Sequence, residues 1–522
     1  MKDSHKKESP LLSLPSFGGG SNSSSAGIGL PPDSDPWYAR YGTVTNYDYA
    51  SAMVLDGSRN IYVTGGDDGN SFVAKFDNDG ALQWTRKIFV YGYGQTSIAI
   101  SGGNIYVVGT WYNTSVGYDT GWIAKYNTSG SIQWQKSFTN SSNHIYFREV
   151  TTDPSGNIYV AGYYTSSSSP AEVGIVVKFD STGSVSWARK VTNSYYNLRL
   201  DGITYVPASG SYSAGICVSG DVPNYEISGS TYNQSIVAIR YDLSGSLEWQ
   251  KVIGDSYNYM YVNSHSYSFT NTSDRNCSKS IVSDSSGNIY LTGGGYGTHY
   301  NDTHSYISKM TDAGAITWAR RYSYAFRGSF VSGVALDSSN DVFLSMWFKT
   351  AGNSPGYTAI VKLSGSTGTG TGSGDNSNSN PDTAEAMFHS TWYNSSYPTF
   401  TGTMASCWFR GIQTDNRGNI YLFGSANNFL GASTGRELAL FKFQPTTAVI
   451  NKTYGSNPYG FSLYAQSQPN MYNYDATAYN GSLSQQFASR TSSFTDASFT
   501  NSVSTATATE QASSGTATTV AW

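Results

Sequence analysis

The residues of this chain that could do chemistry are mostly aromatic and amide side chains gathered in polar stretches. Tyr fills 42 positions and Trp 12. Trp111 and Tyr112 stand among Asn, Thr and Ser, and Tyr163 and Tyr164 precede Thr165 and a run of serines. Tyr195 and Tyr196 lie in a second such stretch. A third, 254–269, holds position 258 (an asparagine between Tyr257 and Tyr259) and Tyr261. Tyr296 and Trp347 open two more. Rings supply contact area at low entropy cost, and amides and hydroxyls supply adaptable hydrogen bonds. This set therefore reads as a binding surface for a glycan or another protein.

Signals for catalysis are weak by comparison. His299 and His304 share a segment with Asp302, but no third ligand is placed beside them. Asp77-Asn78-Asp79-Gly80 has the spacing of a calcium loop, yet the equivalent positions 127–130, 242–245 and 311–314 read NTSG, DLSG and TDAG. That spacing encodes a turn rather than a metal site. P-loop and H-E-x-x-H patterns are absent. Cys217, Cys277 and Cys407 are odd in number and far apart, so no disulfide framework is expected. The expectation is a chain with no catalytic residue, no metal, no cofactor and no enzymatic activity.

The elements that must position the aromatic stretches come from a repeat. Residues 56–88, 153–190 and 284–320 share D-x-S-G-N-I-Y-V-x-G, a variable gap, and x-V-x-K-F-D-x-x-G-x-I-x-W-x-R. A basic residue recurs as Lys75, Lys125, Lys178, Arg240, Lys309, Lys362 and Lys442. A Trp recurs as Trp37, Trp84, Trp134, Trp187, Trp249 and Trp318, with Trp392 fitted as the seventh. Each repeat supplies four strands, A to D, with alternating apolar and polar positions in C and D. S-G-N joins A to B and D-x-x-G joins C to D, both hairpin signals. The fold class expected is all-β, a seven-bladed β-propeller of four-stranded antiparallel blades. Because the first cycle starts at a D-type strand, Trp37 to Arg40, that strand should close the ring beside Leu440 to Phe443, with 447–453 as its competitor. A–B and C–D turns then share one face. The longer B–C loops and D–A crossovers, which hold the aromatic stretches, share the other.

The pattern W-x-x-x-Y-G, D-x-A, D-x-S-G-N-I-Y-V-x-G appears first as Trp37, Tyr41, Gly42, Asp48, Ala50, Asp56, Asn60, Ile61, Tyr62, Val63 and Gly65. It resembles the seven-bladed β-propeller repeat family of bacterial surface and phage proteins, over about residues 37–443. The resemblance implies a scaffold with no fixed activity. D-x-x-G-x-x-x-W, as in Asp180, Gly183 and Trp187, is also similar to the tryptophan-docking repeat of quinoprotein dehydrogenases. The bland reading of that pattern is a Gly turn with a Trp packed between neighbouring blades.

Composition bounds the partners. Charged residues are 13% and net charge is -4, so there is no basic footprint for nucleic acid. No apolar run is long enough for a membrane span or a signal peptide. Residues 1–36 form a Gly/Ser/Pro-rich arm, similar to short N-terminal segments of cyanophage-type virion proteins, and 365–383 a flexible insertion. Residues 444–522, rich in Ser, Thr, Ala and Tyr, could add strands to a neighbouring chain. The functional expectation is a structural component of a tailed-phage virion, present in multiple copies. The propeller would be displayed toward host-surface glycan or protein, with 1–36 and 444–522 anchored to other virion proteins. The alternative is an extracytoplasmic bacterial adhesion propeller or a quinoprotein-like enzyme.

Overall fold

The computed structural model describes residues 37–42, 48–67, 70–88, 96–114, 117–139, 143–165, 172–192, 197–210, 212–222, 235–254, 259–261, 279–296, 303–323, 329–348, 357–368, 385–392, 407–427 and 436–443. In the C-terminal segment it describes 452–454, 461–464, 488–491, 495–498, 502–505, 510–511 and 516–521. These residues form seven antiparallel sheets arranged as the blades of a propeller, and they include no helix.

Blade three shows the plan. Strand A is Ile145–Thr152, B is Ile158–Thr165, C is Glu172–Phe179 and D is Val185–Thr192, each hydrogen-bonded to the next. Blades one, two, four, five and six start at Asp48, Thr96, Arg199, Tyr259 and Ser329. Blade seven takes A, B and C from Cys407–Thr414, Ile420–Asn427 and Arg436–Phe443. Its fourth strand is Trp37–Gly42, paired Trp37↔Lys442 through Tyr41↔Leu438, so the N-terminal strand closes the ring. The competing segment contributes Lys452–Tyr454, which lies beside blade six instead.

Strands B and C depart from simple alternation. Ile158–Tyr164 is buried at every position, because neighbouring sheets cover both faces of a middle strand. The core is accordingly divided among the blade interfaces. Ile158, Val160, Ile175 and Val177 meet Val108, Ile123 and Phe138 of blade two, and Leu200, Ile216 and Val237 meet Tyr159 and Val176 of blade three.

One sequence marker shifts. The Trp positions are defined by pairing with the basic residue of strand C: Lys75↔Trp84, Lys178↔Trp187, Lys442↔Trp37. In blade six that partner is Glu385, opposite Lys362, and Trp392 lies at the far end of the same strand. The seventh blade-to-blade Trp is therefore missing from blade six.

Candidate functional site

Strand A of each blade runs inward of B, C and D and starts on the loop-rich face. In five blades it carries a β-bulge at the same level, which leaves one extra residue: Ser51, Arg148, Asp201, Ser332 and Arg410. All five are polar. A bulge re-aims side chains and is common beside functional sites. Two positions earlier stand Tyr49, Tyr146, Arg199, Phe330 and Trp408. In blade five strand A is in two pieces, Tyr259–Tyr261 and Ile281–Ser283, both paired with the same strand B. The inner rim on this face thus repeats one aromatic or basic residue followed by one polar residue.

Side chains from blades two to four join this rim into a continuous strip. Asp119 Oδ2 lies 3.0 Å from His144 Nδ1 and accepts the Tyr146 hydroxyl at 2.7 Å. The Tyr118 ring stands edge-on to His144 at 5.2 Å. Tyr146 stacks on Tyr163 with ring centroids 4.8 Å apart. Arg148 and Arg199 both sit over the Tyr163 ring, at 5.6 and 5.1 Å. Burial raises the Tyr163 phenol above its usual pKa, so it stays protonated as a donor. Each cation is already matched. Arg148 Nε donates to Asp201 Oδ1 at 2.9 Å, while Arg199 forms a fork with Glu172, Nε to Oε2 at 2.6 Å and Nη2 to Oε1. His144 is partly open to solvent, its side chain 37% exposed.

Glu149, next along the strand, stands where other blades have Ala52, Gly202, Gly333 or Gly411. It is buried, accepts the Ile203 N–H at 3.2 Å, and has its carboxyl pushed up to about 8 by burial, against the opposing pull of Lys279.

The sequence-predicted residues occupy several different settings. Trp111 and Tyr112 end strand B of blade two, paired with Thr120 and Asp119. Tyr112 is 42% exposed beside the strip, whereas Trp111 packs against the core between blades one and two. Tyr163 and Tyr164 are buried in strand B of blade three, Tyr163 within the strip. Tyr261 lies on strand A of blade five opposite Gly294, and Tyr296 pairs with Thr303 and Tyr259. Trp347 is in strand B of blade six, opposite Thr358 and Phe330. Tyr195, Tyr196 and Asn258 lie outside the described residues, as do His299 and Asp302, whose metal signal is weak. Sequence reasoning missed His144, Tyr146, Arg148, Arg199 and Arg410, because it looked for a site in the loops rather than on the inner strand.

A beta-propeller repeat family model matches residues 133–166, which run from strand D of blade two through strand B of blade three. No curated protein matches the sequence. Among solved structures, the chain is similar to a polysaccharide lyase of family PL25, an ulvan lyase, bound to -[GlcA(1-4)Rha3S]-. The identity is 8% and the TM-score 0.44, covering 76% of this chain and 95% of that one. A second structure of an ulvan lyase of that family gives 8% identity and TM-score 0.45, covering 76% of this chain and 94% of that one. This corrects one expectation. Both structures are described as polysaccharide lyases, and the reading of this chain as non-enzymatic is withdrawn.

Proposed function

We propose that the protein is a glycan-binding propeller whose sugar site is the strip at the loop-rich end of blades two to four. The observation that carries the reading is the stack of Tyr146 on Tyr163, flanked by internally matched polar groups: His144 with Asp119, Arg148 with Asp201, and Arg199 with Glu172. Flat rings accept the C–H faces of a pyranose. Fixed carboxylate and guanidinium groups offer hydroxyls both acceptors and donors at set angles. Because the charges are paired within the strip, it favours hydroxyl recognition over counter-ion capture.

The test is binding of the full-length protein to a panel of immobilised polysaccharides, neutral, uronate-containing and sulfated. Tyr112→Ala, His144→Ala and Tyr146→Ala should each weaken binding about tenfold or more, roughly 1.4 kcal/mol. Gln83→Ala, on the tight-turn face, should leave it unchanged. Equal binding by all four variants would sink the proposal. Following polysaccharide chain length in the same mixtures shows whether binding leads to cleavage.

The setting proposed for this site is the surface of a tailed-phage particle. The sequence supports it through the arm 1–36, which lies outside the described residues. Removing 1–36 should abolish incorporation into particles and spare glycan binding; full incorporation of the shortened chain would end that reading.

A further inference from the structure

The outer edge of a propeller blade is a row of unpaired backbone donors and acceptors, and such edges invite pairing with other chains. Here the C-terminal segment meets them. Ala488–Thr491 pairs antiparallel with strand D of blade four, Thr495–Ser498 with blade three and Ser502–Thr505 with blade two. Glu510–Gln511 pairs with blade one, and Thr516–Ala521 with the closure strand Trp37–Gly42 of blade seven. The segment therefore winds once past five consecutive blades, against the direction in which the chain built them.

Its register is constant. The residue three positions after the strand-D Trp is Val252, Lys190, Ser137, Lys87 and Arg40 in blades four, three, two, one and seven. Their partners are Arg490, Ala497, Ser504, Gln511 and Thr518, each seven residues after the last. The five partner residues are all of different types, so the backbone ladder sets the match rather than a side-chain code. A seven-residue pitch lets about four residues pair and three cross to the next blade. The longest ladder, Trp37↔Ala521 to Gly42↔Thr516, falls on the closure strand, which is then held on both edges.

We propose that residues 488–521 are a clasp. The outer blade edges form a strand-binding surface, its occupant is this same chain's C-terminal segment at one heptad per blade, and the last heptad locks the strand that closes the ring. The expectation that this segment adds strands to a neighbouring molecule is thereby replaced by self-pairing. An intramolecular occupant is favoured because one unbroken segment meets the blades in spatial order, so each pairing raises the effective concentration of the next.

Paired cysteines in the full-length protein test this. Directly opposed residues in an antiparallel ladder lie within disulfide reach. Lys190→Cys with Ala497→Cys should form an intramolecular disulfide, identified by peptide mapping. Lys190→Cys with Ser504→Cys, one heptad out of register, should not. Equal crosslinking of both pairs, no crosslinking of the first, or disulfide-linked dimers would each overturn the proposal. A second variant tests the lock itself. Deleting 499–505 removes one pitch, so the final strand should stop at blade one. Amide exchange of 37–42 should then rise about tenfold or more, while 132–139 stays protected. Unchanged exchange at 37–42 would refute the clasp.

Discussion

At the residue scale, the repeated D-x-x-G-N-x-Y is a hydrogen-bond device in which each letter has a partner. Asp153 Oδ1 accepts the N–H groups of Ser155 and Asn157, both at 2.9 Å, and its Oδ2 accepts the Asn157 amide at 2.7 Å and the Tyr159 hydroxyl at 2.9 Å. Asp56, Asp284 and Asp415 repeat the set. Burial and the neighbouring carboxylate raise the pKa of each of these Tyr hydroxyls. Blade six replaces Asn and Tyr with Asp341 and Phe343, and Lys362 Nζ then lies 3.0 Å from Asp341 Oδ2 and 3.7 Å from Asp337 Oδ2. Such roles were legible in the sequence because they are local. Glu149 was not, since the groups that act on it, the Ile203 N–H and Lys279, belong to other blades. Its carboxyl is raised in the fold, so its contribution to stability is greatest below its unfolded pKa of 4.5 and is lost as pH rises through about 8. Glu149→Gln should flatten that loss. Thermal unfolding at pH 5 and pH 9 should show the variant gaining on the parent only at the higher pH, by on the order of 3 kcal/mol or less. An equal difference at both pH values would contradict the assignment.

Between elements, the unit of cohesion is a Trp on the turn of the next blade. Trp84, Trp134, Trp187, Trp249 and Trp318 each donate Nε1–H to a carbonyl in the following C–D turn, at 2.8–3.2 Å. The repeated Lys reaches that same carbonyl from Lys75, Lys125, Lys178 and Lys309. Gly183 shows why the turn needs glycine: its φ is +80°, and an added Cβ would stand 2.9 Å from the Trp134 ring. Gly183→Ala should therefore lower unfolding free energy by about 1–3 kcal/mol in a denaturant titration. Gly57→Ala, with open space around it, should stay within about 0.5 kcal/mol. Equal effects would argue against the docking role. The Trp and Gly spacing made this interface readable in advance. The inner rim was written there too, as an aromatic seven residues before the turn Asp in Tyr49, Tyr146, Phe330 and Trp408. Reading it required knowing that strand A carries a bulge, which pairing reveals and periodicity does not.

For the whole molecule, the number of blades and the closing strand followed from the repeat and its phase. The path of the C-terminal segment did not, because small polar residues carry no burial pattern and the seven-residue pitch has no side-chain signature. That pitch becomes visible only against the strands it covers. One result of the closure concerns where the chain could be cut and joined. Trp37 and Ala521 are directly opposite each other in adjacent antiparallel strands, so the first and last described strands end side by side on the ring. A turn of a few residues would splice them into an ordinary hairpin on the rim of blade seven. The ring would then have no beginning, and any exposed crossover could serve as the new break. The order in which the blades are strung is, in that sense, a convenience of synthesis rather than a requirement of the fold.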